Sequence, residues 1–275
     1  MRNCIPKRII QTGRSSKLSL LEKAAVCNLK LLNPDFEYLF FDDGQVESFI
    51  DQHFAEYRQV FDSFPFRIQK YDFFRYLAVY QFGGFYFDLD VLLASDLSSL
   101  LDFECVFPFE CLTPSQHLRK QHGVDWQIGN YAFGAAQHHP FLKAVIESCV
   151  RAQREPTWVN PMMIGVPFLS RSDHLVLNTT GPGLVTRTLV EHAALANDMH
   201  VLFPEDVCDT RFWFRFGDLG VHLMSASWRA KGHYIRLRLA DHWEAWLMRR
   251  RLRESRKQGK ARSHRDIIRH RMDSA

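Results

Sequence analysis

The sequence predicts an α/β fold with a mostly parallel central sheet flanked by helices, and two observations carry that expectation. Short apolar and aromatic runs alternate with stretches of helical periodicity, so that strand, helix, strand and helix are complete before residue 65. Residues 68–82 then run without Pro or Gly, and Gly83-Gly84 breaks this helix ahead of an aromatic segment suited to a further strand. A chain of 275 residues can hold one large domain, and 46% hydrophobic with 24% charged residues is an ordinary globular balance.

The elements follow in order. Residues 5–11 (I-P-K-R-I-I-Q) read as the first strand, with Pro6 tolerated at its start. Ser16 is the expected cap of a helix to about Leu32, apolar at 18, 21, 25, 29 and 32, and Asn33-Pro34 ends it. Residues 37–41 make a second strand, and Asp42-Asp43-Gly44 leads into another helix, with capping the favoured role for the acidic pair. Further on, residues 96–101 suggest a helical turn, 104–109 a strand, 112–125 a polar loop holding His117 and His122, and 127–136 a strand or turn. His138-His139-Pro140 reads as a helix entry, since adjacent imidazoles cannot easily converge on one ion. Residues 140–153 and 183–196 have helical periodicity, and 199–203 is a late strand.

The chemistry concentrates in residues 70–91. Asp72, Arg75, Tyr76 and Val79 fall three or four apart on one helical face, beside an apolar stripe of Phe73, Leu77 and Tyr80. Strand alternation after Gly84 would put Asp88 and Asp90 on one side and Leu89 on the other. Two carboxylates at the end of an apolar strand repel and are costly to desolvate, and a divalent cation is the simplest compensation. Hard oxygen ligands of this kind suit Mn²⁺ or Mg²⁺. Ligands of α/β sheets gather at the carboxyl ends of strands, where Asp42-Asp43 and Asp88/Asp90 would both lie.

This stretch resembles the signature of the DXD-containing retaining glycosyltransferases that include the fungal initiating α-1,6-mannosyltransferases and bacterial polysaccharide enzymes, and it is similar to the glucosyltransferase domain of clostridial toxins. The signature is roughly D-x-x-R-Y-x-x-L-x-x-x-G-G-x-Y-x-D-x-D. It is met at Asp72, Arg75, Tyr76, Gly83, Gly84, Tyr86, Asp88 and Asp90, with Val79 at the Leu position. The resemblance implies a GT-A-like domain with a Rossmann-like sheet and a reaction moving a hexose from a UDP- or GDP-sugar to a glycan, glycolipid or protein hydroxyl. It implies Asp90 as metal anchor, Asp88 on ribose and sugar hydroxyls and on the metal through water, and Asp72 on donor sugar hydroxyls. Arg75 would pair with carboxylates or diphosphate, with Tyr76 on the same donor-binding face, while Tyr86 would pack against the donor and Asn130 would line the sugar pocket. The stretch G-V-H-L-M-S-A-S-W resembles the family's closing His-spacer-Ser-Trp, implying His222 as third metal contact and Ser227 and Trp228 as diphosphate donors. Thr180-Gly181-Pro182 matches the family's T-G-P loop on the acceptor side. At the first strand the sequence departs from the family, with Ile10 in place of a His and Gly13 in place of a Trp.

Charge is asymmetric. Residues 229–275 carry 15 Lys and Arg against 5 Asp and Glu, a formal +10, which leaves 20 against 26, or −6, for the rest. The expected organisation is therefore a catalytic domain over 1–230 and a basic amphipathic helix and tail over 231–275, suited to an anionic membrane surface, with no nucleic-acid reader motif. Scattered cysteines without a C-x-x-C pair, and no apolar run of leader or membrane-span length, suggest a cytoplasmic protein peripheral at a membrane face. Bacterial surface polysaccharide synthesis is the expected context, with an effector that modifies host proteins as another. F-D-L-D-V-L-L also looks like the opening of haloacid-dehalogenase phosphatases, the alternative use of Asp88 and Asp90, though Leu92 stands where that motif has Thr or Val. A non-catalytic sugar binder is the third class.

Overall fold

The computed structural model describes residues 4–224, 250 and 252–253. Strand β1 (Arg8–Thr12) is followed by helix α1 (Leu20–Leu32), whose cap is Ser19 rather than Ser16. Ser19 and Glu22 form a reciprocal capping box that residue 16 could not make. Strand β2 (Glu37–Phe41) leads to α2 (Asp43–His53), where Asp42 accepts from the Gln45 N–H, so capping is the role of this acid. Helices α3 (Arg58–Ser63) and α4 (Arg67–Phe82) precede β3 (Gly84–Phe87) and β4 (Val91–Leu93).

The expected turn near residue 96 is a 3-10 turn at Ser98–Leu100, before β5 (Cys105–Leu112). The polar segment after it is not simply a loop. It holds α5 (Gln116–Gln121), started by Ser115 accepting from the Leu118 N–H. Next come β6 (Trp126–Ile128), β7 (Ala132–Ala135), α6 (Pro140–Arg154) with His139 as its cap, and α7 (Pro156–Val159). Helices α8 (Arg171–Thr179) and α9 (Pro182–Glu191) follow; α9 stops at His192 and a separate 3-10 turn covers Ala193–Ala196, so the expected single helix is split. Strands β8 (Met199–Leu202), β9 (Arg215–Phe216) and β10 (Gly220–His222) complete the described elements.

The main sheet has seven strands in the order β2-β1-β3-β7-β5-β6, with β8 beside β5. Strands β2, β1 and β3 are parallel, as are β5 and β8, whereas β7 runs antiparallel to both β3 and β5. A three-stranded antiparallel sheet, β4-β10-β9, stands beside it. Strand alternation divides the core in two. Ile10 and Tyr86 join the larger cluster, with residues of α4, α6 and α9, while Ile9, Phe85 and Phe87 join a smaller one with Leu29 of α1 and Val91.

Gly83 and Gly84 fix how α4 enters β3. Their φ values of +64° and +107° lie where side chains are strained, and a Cβ at Gly84 would meet the Arg8 carbonyl oxygen at 2.7 Å. The central helix therefore turns directly into the central strand, which delivers residue 88 to the carboxyl edge of the sheet. No described helix is long and apolar enough to cross a membrane. Ser227, Trp228, the 230/231 domain boundary and most of the basic segment lie outside the described residues. Leu252 packs, partly buried, against the larger cluster.

Candidate active site

Asp88 and Asp90 lie in a turn, not on the strand. β3 ends at Phe87, and the Val91 N–H bonds back to the Asp88 carbonyl at 3.2 Å, closing the chain between β3 and β4. Alternation therefore does not bring the two carboxylates together; the turn does. The Asp88 N–H donates to the Tyr131 carbonyl at 2.7 Å, tying the turn to the residue before β7.

His222 arrives from the opposite direction in sequence. β10 pairs antiparallel with β4, His222 stands opposite Val91, and the Leu223 N–H donates to the Asp90 carbonyl at 2.9 Å. This register places His222 Nε2 3.2 Å from Asp90 Oδ1. The Tyr131 ring stacks on the imidazole at 4.4 Å. Ligand atoms of Asp88, Asp90 and His222 all lie within 4.8 Å of one another. Their side chains keep 26%, 14% and 17% of their surface exposed, so this trio is the open part of the site.

Beneath it lies a buried polar lattice. Arg75 Nη2 reaches Asp72 Oδ1 and Asp88 Oδ1, each at 3.1 Å, while Nη1 donates to the Asn130 carbonyl at 2.8 Å and to Asp88 Oδ2 at 3.3 Å. The guanidinium lies over the Tyr86 ring at 4.6 Å, and the Tyr86 hydroxyl donates to Asp88 Oδ1 at 2.8 Å. Asp72 accepts from Asn130 Nδ2 at 3.1 Å and from the Thr180 hydroxyl at 2.9 Å. The Tyr76 hydroxyl donates to the Thr180 carbonyl at 2.7 Å and accepts from Asn130 Nδ2 at 2.8 Å.

Tyr76, Tyr86 and Asn130 are buried, and their polar atoms serve the lattice. Tyr86 holds Asp88 from below, and Asn130 holds Asp72 and Arg75. Asp72 and Arg75 are 4% and 3% exposed; the Asp72 oxygens and both terminal nitrogens of Arg75 are paired within the lattice, while Arg75 Nε is buried without a hydrogen-bond partner. A buried cation flanked by two carboxylates and a carbonyl fixes the position of Asp88, because removing either partner would strand a charge in the interior.

Electrostatics follow burial. Burial pushes Asp72 up to about 6, against the pull of Arg75 and of the Thr180 and Asn130 hydrogen bonds. Asp88 is also raised, by burial first and then by Asp90, with Arg75, His222 and Tyr86 opposing. For His222, burial alone would lower the value, but the Asp90 hydrogen bond and the charges of Asp88, Asp90 and Glu110 outweigh it and the net direction is upward. The ring thus stands where positive charge is favoured, and its Nδ1 is buried without a hydrogen-bond partner. Two carboxylates and an imidazole arranged this way fit a divalent cation such as Mn²⁺ or Mg²⁺.

The sequence reading did not single out several residues of this neighbourhood. Glu110 of β5 is buried, pairs with Gln127 Nε2, and is pushed up to about 7 by burial. Gln11 donates to the carbonyls of Phe87 and Asp88 at 3.3 and 3.4 Å and accepts from the Tyr38 hydroxyl at 2.9 Å. A Gln at the end of the first strand was the available signal for the latter. Gly13 leaves room for the turn: a Cβ there would meet Leu89 Cδ1 at 2.9 Å, so a Trp at this position would collide with the residue between the two acids.

The family model described as "Glycosyltransferase sugar-binding region containing DXD motif" matches residues 21–107, so this segment is similar to that family. Over 178 residues the chain is 28% identical to inositol phosphoceramide mannosyltransferase 2 of Schizosaccharomyces pombe, covering 65% of this chain and 44% of that relative. It is 24% identical to the initiation-specific α-1,6-mannosyltransferase of the same yeast, covering 59% of this chain and 42% of that relative. The chain thus spans less than half the length of these curated relatives. Among solved structures it is similar to PaToxG glycosyltransferase, with a TM-score of 0.47 and 16% identity over 71% of this chain and 74% of the other.

Proposed function

We propose that the protein transfers a hexose from a nucleotide diphosphate sugar to a hydroxyl of a glycolipid acceptor, with Asp88, Asp90 and His222 holding Mn²⁺ or Mg²⁺. The observation that carries this reading is the convergence within 4.8 Å of Asp88 and Asp90, inside the matched segment, with His222 from outside it. When bound, the cation would neutralise charge that develops on the diphosphate leaving group.

The chain's own residues orient and exclude. Arg75 and Tyr86 fix Asp88 from beneath, leaving it able to meet ribose and sugar hydroxyls. Tyr131 fixes the plane of the His222 ring, and Asn130 and Thr180 hold Asp72 so that Arg75 keeps its place. Ser227 and Trp228 remain proposed diphosphate donors by family pattern. In the transfer, the acceptor oxygen bonds to the anomeric carbon as the bond to the diphosphate oxygen breaks, and the acceptor proton passes to that oxygen. Retention of configuration, by attack from the leaving-group face, follows the family resemblance.

Mannose and a glycolipid are favoured over a polysaccharide or protein acceptor because a similar protein is named an inositol phosphoceramide mannosyltransferase. The test is a panel of UDP- and GDP-sugars incubated with Mn²⁺ or with chelator, scored for release of nucleotide. Metal-dependent release from one donor is expected, with GDP-mannose the leading candidate. No release from any donor, or equal release in chelator, would refute the assignment.

A further inference from the structure

We infer that His117, His122 and Glu191 form a second metal site, separate from the proposed catalytic one, which takes a zinc-class ion and pins the 113–125 segment to the end of α9. His117 lies in the first turn of α5, His122 caps that helix, and Glu191 is the last residue of α9. Their ligand atoms lie within 4.8 Å of one another. Tetrahedral zinc with bonds of about 2.0–2.1 Å separates its ligand atoms by roughly 3.3–3.5 Å, so small side-chain rotations would complete the contact.

Two further observations point to an ion. His117 Nε2 is buried with no hydrogen-bond partner, and such a group calls for an explanation such as an ion at the site. The carboxylate is already oriented: Arg187 Nε donates to Glu191 Oε1 at 2.6 Å, and its guanidinium lies 3.8 Å over the Trp158 ring. Metal-binding carboxylates are commonly held by just such outer hydrogen bonds, which leave the second oxygen for the metal. Two imidazoles and one carboxylate suit zinc, whereas the acid-rich trio of the catalytic site suits a harder ion.

The position gives the site a purpose. α9 has 10 residues, about 15 Å of helix. At its start, Thr180 donates to Asp72, and along it the Thr186 hydroxyl accepts from the Ile128 N–H at 3.1 Å. A metal at Glu191 would anchor the far end of the helix that steadies the buried lattice.

The test uses the untagged full chain carrying Asp90→Ala, so that the other site is silenced, with zinc content read by elemental analysis after gel filtration. About one zinc per chain is expected, together with a zinc-dependent rise in melting temperature. Adding His122→Ala or Glu191→Gln should weaken zinc binding by more than about 100-fold, since even outer-shell partners are worth about 10–100-fold. Either should also abolish the thermal shift. Glu191→Gln keeps a carbonyl oxygen to accept from Arg187 Nε, so metal-free circular dichroism matching the parent would show that loss of zinc is not loss of fold. A parent that binds no zinc, or folded variants that bind it as tightly as the parent, would overturn the inference.

Discussion

Asp72 and Asp90 are carboxylates 18 positions apart in one helix-to-strand unit, and the fold treats them in opposite ways. Asp72 is sunk among Arg75, Asn130 and Thr180, its oxygens already committed to protein donors. Asp90 sits at the open turn beside His222. The difference is one of exposure: the lattice below is closed on itself and holds the geometry, while the trio above keeps more of its surface open. Charge type alone would not distinguish them, because both belong to the same motif.

The sharpest way to break this contrast is Arg75→Met. It leaves Asp72 buried without its cation, and removing one partner of a buried pair costs about 3–5 kcal/mol. A loss of that size in urea unfolding is expected; a change under 1 kcal/mol would mean the lattice does not support the fold. Asp90→Ala should do the reverse. Unfolding free energy without metal should stay near the parent value, while donor turnover should fall by at least about 10²–10³-fold, the scale set by removing one group that stabilises transition-state charge. A variant that keeps its turnover would place the chemistry elsewhere.

Thr180→Val probes the lattice with a smaller change. Losing a hydrogen bond to a charged group costs about 1.5–3 kcal/mol. The expected loss is in stability first; a variant as stable as the parent would show that the Thr180 bond to Asp72 contributes nothing.

Glu110 tests the electrostatics of the same layer. Its folded value, about 7, lies above the ordinary carboxylate value of 4.5, so the folded protein holds this proton more tightly than the unfolded chain. Its contribution is therefore fully present below about pH 4.5 and is lost as pH rises through 7, a difference on the order of 3 kcal/mol. Glu110→Gln should gain stability relative to the parent as pH rises from 5 to 8, measured by thermal melts across that range. An unchanged difference between the two proteins would contradict the burial argument.

Much of this architecture was legible in the sequence where local chemistry decides it. The Gly83-Gly84 break follows from positive φ values that few other residues adopt, and the capping by Asp42 and the His139-Pro140 helix entry follow from side-chain acceptors and a Pro in the first turn. What failed were features set by distant contacts. Strand alternation could not foresee that β3 would end at Phe87, because the turn is closed by the N–H of Val91 as the chain enters a second sheet. Helix α5 is short and polar, so its periodicity was weak, although Ser115 was a readable cap. His222 was found only by family pattern, since its pairing with Val91 joins positions more than a hundred residues apart. Glu110 and the partners of Thr180 carry no local signature, because burial made them important and sequence spacing does not report burial.

The most direct test of the central claim is calorimetric titration of UDP and GDP into the protein with and without Mn²⁺, repeated for Asp90→Ala. A cation shared between Asp88, Asp90, His222 and the diphosphate should tighten binding of one nucleotide by at least about tenfold, or 1.4 kcal/mol, in the parent alone. Equal affinity with and without the metal, or the same gain in Asp90→Ala, would contradict the account.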